Sequence, residues 1–107
     1  MENTVKKAKQ IIHTQYQEIQ SVKEITNTLG CNYHTLRSVF VRETGYTLVS
    51  YLNKIRCLYA AIILKTTNKK LYQIAIEVGF NNESYFIKVF KKYQGKCPDE
   101  YRRKFSE

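Results

Sequence analysis

The sequence predicts an all-α fold of about seven helices, arranged as two helix-turn-helix subdomains joined by a long linker helix. A single proline and four glycines in 107 residues leave little to interrupt helices. No segment alternates apolar and polar residues between turn signals as a half-buried strand would. Instead, apolar residues recur three and four apart in one segment after another, the spacing that lines one face of a helix.

A first helix is expected from about Thr4 to Gln17, with Val5, Ala8, Ile12 and Tyr16 on one face. Ser21 and Glu24 then form a capping-box pattern, in which serine and glutamate each accept a hydrogen bond from an unpaired backbone N–H near the other. The short helix that follows carries Val22, Ile25 and Leu29 on one face and stops at Gly30, a residue able to take the left-handed conformation that closes a helix. Asn32 can cap a third helix with Leu36, Val39 and Phe40 facing inward, ended by Gly45. Thr47 can cap the long helix, where Leu48, Tyr51, Leu52, Ile55, Leu58, Ile62 and Ile63 keep an apolar period as far as Lys65. At 1.5 Å per residue that helix is about 27 Å long.

The second half repeats the first. Ile25, Gly30, Asn32, Leu36, Val39, Phe40, Gly45 and Tyr51 are matched by Ile74, Gly79, Asn82, Phe86, Val89, Phe90, Gly95 and Tyr101. The intervals agree apart from one extra residue in the turn after Gly79. Each copy reads as short helix, turn and second helix, followed by the start of another. The expected organisation is residues 1–47 as an N-terminal helix plus the first helix-turn-helix, 48–66 as linker, and 67–107 as the second helix-turn-helix with a C-terminal helix.

Charge narrows the function. Eighteen Lys and Arg against nine Asp and Glu leave a net +9, and both halves contribute: 8 minus 4 up to residue 63, 10 minus 5 after it. A basic excess spread along the chain is the usual electrostatic footprint of a nucleic-acid binder, one shared by ribosomal, histone-like and membrane-surface proteins. Cys31, Cys57 and Cys97 are an odd number at long spacings, with His13 and His34 the only histidines, so neither a metal site nor a disulfide framework is expected. No apolar run is long enough to span a bilayer, and a reducing cytoplasm is the expected location. No nucleophile–base spacing, phosphate loop or cofactor motif points to an enzyme.

At the repeated residues the sequence resembles the AraC/XylS family of bacterial transcription regulators. The resemblance covers about residues 10–104. It is most specific in "IAIEVGFNNESYFIKVFKKYQGKCPDEYR" and extends to Arg56, Ala60, Ile63 and Leu64 in the linker. It departs mostly in the first unit, with Thr26 for the usual Ala, Asn32 for a serine cap and Ser38 where Arg or Lys is common; Cys97 also replaces the usual Thr before Pro98. The resemblance implies two recognition helices that bind double-stranded DNA and activate transcription through RNA polymerase.

Subtracting the inward residues from each second helix leaves its candidate readers. They are Tyr33, His34, Arg37 and Ser38 in the first unit, with Val41 also outward, and Glu83, Ser84, Ile87 and Lys88 in the second. Arg37 and Lys88 suit guanine O6 and N7, Glu83 suits cytosine N4, and Ile87 a thymine methyl, although an outward Arg or Lys is as readily explained by solvation or phosphate contact, and His34 by covering the adjacent core. Glu83 is equally explained as a favourable charge in a first helical turn. Arg42, Lys91, Lys92 and Lys96 are the candidate phosphate contacts. Arg56, Phe40, Phe86, Phe90 and Pro98 are assigned structural roles, with Arg56 expected to pair with a carboxylate, and Tyr85 is expected to be half-buried.

Two different reading helices on one chain imply an asymmetric site, its patches about 34 Å or 10 base pairs apart. They also imply a DNA-binding part that is monomeric, since two heads already supply bivalency. The chain is either a stand-alone activator or the output end of a longer regulator. The alternative is a non-specific nucleic-acid-binding or protein-interaction helical module, which should show exposed apolar residues on an outer face.

Overall fold

The computed structural model describes residues 2–105, and among them every regular element is a helix. In chain order these are α1 (Glu2–Gln15), α2 (Lys23–Leu29), α3 (Tyr33–Thr44), α4 (Leu48–Thr66), α5 (Leu71–Glu77), α6 (Glu83–Gln94) and α7 (Pro98–Phe105). The chain divides into two compact units, the first ending at Asn53 and the second beginning at Lys54, so the boundary falls within α4.

Local chemistry accounts for the helix ends. The side chains of Asn32 and Asn82 accept hydrogen bonds from the backbone N–H of Thr35 (3.2 Å) and Tyr85 (2.8 Å), satisfying one donor at the start of α3 and of α6. Gly45 and Gly95 close those helices at φ 80° and 79°, a region costly for any residue with a Cβ. At α2 the glutamate half of the expected box is formed, while the serine side chain meets the N–H of Lys23 instead of that of Glu24. Glu24 accepts from the N–H groups of Gln20 and Ser21, and Ser21 Oγ accepts from the N–H of Lys23 at 3.3 Å. The hydroxyl of Thr47 accepts from the N–H of Ser50 at the start of α4.

The first helix ends two residues before the expected position. Backbone bonds from the N–H groups of Glu18 and Ile19 both converge on the carbonyl of Gln15, turning the chain so that Ile19 is buried and Tyr16 only half-buried.

In the first unit α1, α2 and α3 pack together around Val5, Ala8, Ile12, Ile25, Leu36, Val39 and Phe40, joined by Leu48 and Leu52 from α4. Thr26 is buried as well. Its hydroxyl donates to the carbonyl of Lys23 at 2.8 Å, which satisfies the polar group that replaces the family's alanine. The ring nitrogen Nε2 of His13 lies 2.9 Å from the Tyr51 hydroxyl.

The second unit has a core of Cys57, Ala60, Ala61 and Leu64 from α4, Ile74 and Ala75 from α5, Val78 and Phe80 from the turn, Phe86, Val89 and Phe90 from α6, and Tyr101 from α7. Pro98 is fully buried. Arg102 donates from Nε to the carbonyl of Leu64 and from Nη2 to that of Thr67, both at 3.2 Å, so a cation closes the carbonyl end of α4.

One sequence expectation is overturned here. The spacing of Leu58 and Ile62 places them on the apolar face of α4, yet they are 44% and 52% exposed, and small residues are buried in their place. Cys57, Ala60 and Ala61 join the core of the second unit, a choice that a count of large apolar residues does not register.

Candidate nucleic-acid interface

The two second helices of the repeat share the register of their buried faces. Counted from the capping asparagine, Leu36, Val39 and Phe40 match Phe86, Val89 and Phe90, and the exposures are 0, 6 and 0% in both sets. With that face fixed inward, the 3.6-residue period decides what faces out.

In α3, His34, Arg37 and Ser38 are exposed and line one shallow hollow together with Val41. Tyr33 is half-buried, its ring set edge-to-face against His34 at 5.6 Å and under the ammonium of Lys23 at 6.0 Å. Arg42 is exposed in the last turn. In α6, Glu83, Ser84 and Lys88 are exposed, as are Lys91 and Lys92, while Lys96 is half-buried beyond the helix end. Glu83 lies in the first turn, where a carboxylate is favoured by the helix dipole whatever else it touches.

Two residues sit differently from the sequence reading. Ile87, placed on the outward face by its spacing, is half-buried and packs against the core of the second unit. Tyr85 is 48% exposed, its ring edge against Phe80 at 5.9 Å. Exposed apolar side chains also lie outside the recognition helices. Besides Leu58 and Ile62 these include Tyr72 and Ile76 on α5, whereas the sequence reading expected the outward positions to be mainly polar or basic.

Arg56 is a buried cation with only 7% exposure. Its guanidinium stands 5.5 Å from the centre of the Phe80 ring, and burial pulls its pKa down while the nearby Tyr85 hydroxyl acts in the opposite sense. Phe80 in turn touches Tyr85 and Phe86, so Arg56 braces the turn that leads into α6.

Among the described residues, no three His, Cys, Asp or Glu side chains gather into a metal site. No single helix there is long and apolar enough to cross a membrane.

The site is thus a pair of capped helices with polar and basic outer faces, each second in a helix-turn-helix, which defines a DNA-binding module by class. A family model described as a helix-turn-helix domain matches residues 25–104, and the chain belongs to this AraC-type family of transcription regulators. The HTH-type transcriptional activator RhaR of Mannheimia succiniciproducens is 36% identical over an 80-residue alignment that covers 70% of this chain and 29% of that protein. Two solved structures are similar across most of the chain. The C-terminal domain of the two-component response regulator YesN from Fusobacterium nucleatum is 33% identical with a TM-score of 0.85, covering 94% of this chain and 98% of that one. The C-terminal domain of AraT, a response regulator from Geobacillus stearothermophilus, is 29% identical with a TM-score of 0.88, covering 94% and 84%. The chain spans about a third of the length of the curated relatives it matches.

Proposed function

We propose that this chain is the sequence-reading part of a bacterial transcription activator, binding double-stranded DNA through α3 and α6. The observation that carries this reading is the shared register of the two helices. Both are capped by asparagine, closed by glycine and buried at the same three positions, and each turns exposed polar or basic side chains outward, His34, Arg37 and Ser38 on α3 and Glu83, Ser84 and Lys88 on α6.

In this reading α3 and α6 enter successive major grooves of one asymmetric site, with half-patches about 10 base pairs apart. Arg37 and Lys88 bond guanine O6 and N7, while Tyr33, His34, Ser38, Glu83 and Ser84 complete the two reading faces. Arg42, Lys91, Lys92 and Lys96 hold phosphates and set the register without reading sequence. Residues 1–47 and 67–107 act as the two heads and 48–66 as their connector. The DNA-binding part works as a monomer in the cytoplasm and contacts RNA polymerase. Activation is supported by the name of the relative RhaR, a transcriptional activator.

Binding should be specific and steeply salt-dependent, because each neutralised phosphate releases counterions. Measuring affinity for a selected duplex and a scrambled one at rising salt tests this. Equal affinity for both at every salt concentration would reduce the protein to a non-specific cationic binder.

A further inference from the structure

We infer that Val41 is a specificity-determining residue of the first recognition helix, covering the 5-methyl group of a thymine in the major groove. The inference rests on the reading of α3 as a helix that enters that groove.

Exposure of one valine is ordinary on a protein surface. Val41 differs by its setting. It is 40% exposed and lines the hollow formed with His34, Arg37 and Ser38, the residues best suited to base edges. Its place three residues beyond Ser38 and four beyond Arg37 puts it on their face, opposite Leu36, Val39 and Phe40.

The repeat sharpens the contrast. Counted from Asn32 and Asn82, Val41 occupies the position of Lys91. A lysine there can bond a phosphate, whereas a valine has no hydrogen-bonding group to offer one. What the major groove does offer a branched apolar side chain is the thymine methyl, the one apolar group in its pattern of donors and acceptors. Ile87, which the sequence suggested for that contact, is half-buried against its own core and therefore less available. The chemistry passes from the second head to the first.

The test begins with duplexes selected by this chain from a random pool. Each thymine of the winning site is then replaced in turn by deoxyuridine, which removes the methyl group and nothing else. Affinities are measured for the wild-type chain, Val41→Ala and Val41→Lys. At one thymine, within the patch whose sequence preference is lost in Arg37→Ala, the replacement should weaken wild-type binding about fourfold, the effect of uncovering one methyl. Val41→Ala should be insensitive to the same replacement. Val41→Lys should bind all duplexes more tightly at low salt and lose the preference for that thymine.

Three results overturn the inference while leaving specific binding intact: a first patch without thymine, no thymine sensitive to demethylation, or equal sensitivity in wild type and Val41→Ala. If the pool yields no enriched sequence, the proposed function fails and the inference fails with it.

Discussion

Phe90 and Tyr101 form a T-shaped ring pair, with centroids 5.3 Å apart and planes at 87°. The equivalent pair of the first unit, Phe40 and Tyr51, is 5.4 Å apart at 83°. Each pair ties the buried face of a recognition helix to the helix that follows it, and so sets the direction in which the outer face points. Aromatic pairs of this geometry add about 0.5–1.5 kcal/mol beyond the area they bury.

Replacing Phe90 or Phe40 by alanine should therefore cost about 3–5 kcal/mol, the range for emptying a buried aromatic site. Urea denaturation followed by circular dichroism measures it. A loss below about 1 kcal/mol at both positions would mean that these rings do not anchor the recognition helices.

Asn32→Ala and Asn82→Ala should each destabilise by about 1 kcal/mol, since each strands an N–H at the start of a helix. Asn→Ser at either site should be close to neutral. If alanine and serine behave alike, the side-chain caps contribute nothing.

Burial pushes the Cys57 thiol up to about 12, from near 9 when exposed. Between those values the unfolded chain gives up this proton and the native chain keeps it, so the unfolded state binds fewer protons and stability falls as pH rises. The cysteine's contribution is complete below pH 9 and is lost by at most about 1.4 kcal/mol per pH unit above it. Cys57→Ala should show a shallower decline over the same window. Alkylation of the native protein should modify the partly exposed Cys31 and Cys97 well before Cys57. Equal rates at all three would contradict the burial.

Lys91→Ala and Lys92→Ala should weaken binding to all duplexes alike and lower the salt slope by about one each. Arg37→Ala and Lys88→Ala should instead relax the preference at one base position, at a cost of about 1–3 kcal/mol for the correct site. Anisotropy titrations at several salt concentrations separate the two classes. A uniform effect from Arg37→Ala would place that residue on phosphate.

The sequence was most legible where backbone chemistry and burial agree. The asparagine caps, the closing glycines and the inward triplets of α3 and α6 each follow from a local rule, and the repeat checks them twice. It was least legible along α4. The large residues Leu58 and Ile62 keep a helical period, but the second unit packs on the smaller Cys57, Ala60 and Ala61. Which side of a helix the core takes up depends on its neighbours, and periodicity alone cannot weigh a small residue against a large one. Ile87 shows the same limit at the edge of a face, where spacing sets a direction but leaves open how far the adjacent core reaches. Val41 was visible as an outward residue, but its place in a hollow among His34, Arg37 and Ser38 required the folded helix.

The central claim is that two different helices read one asymmetric DNA site, and selection of bound duplexes from a random pool tests it most directly. The expected outcome is an asymmetric motif with two patches about 10 base pairs apart, one relaxed by Arg37→Ala and the other by Lys88→Ala. A palindromic motif, a single patch indifferent to one of those substitutions, or no enrichment at all would contradict it.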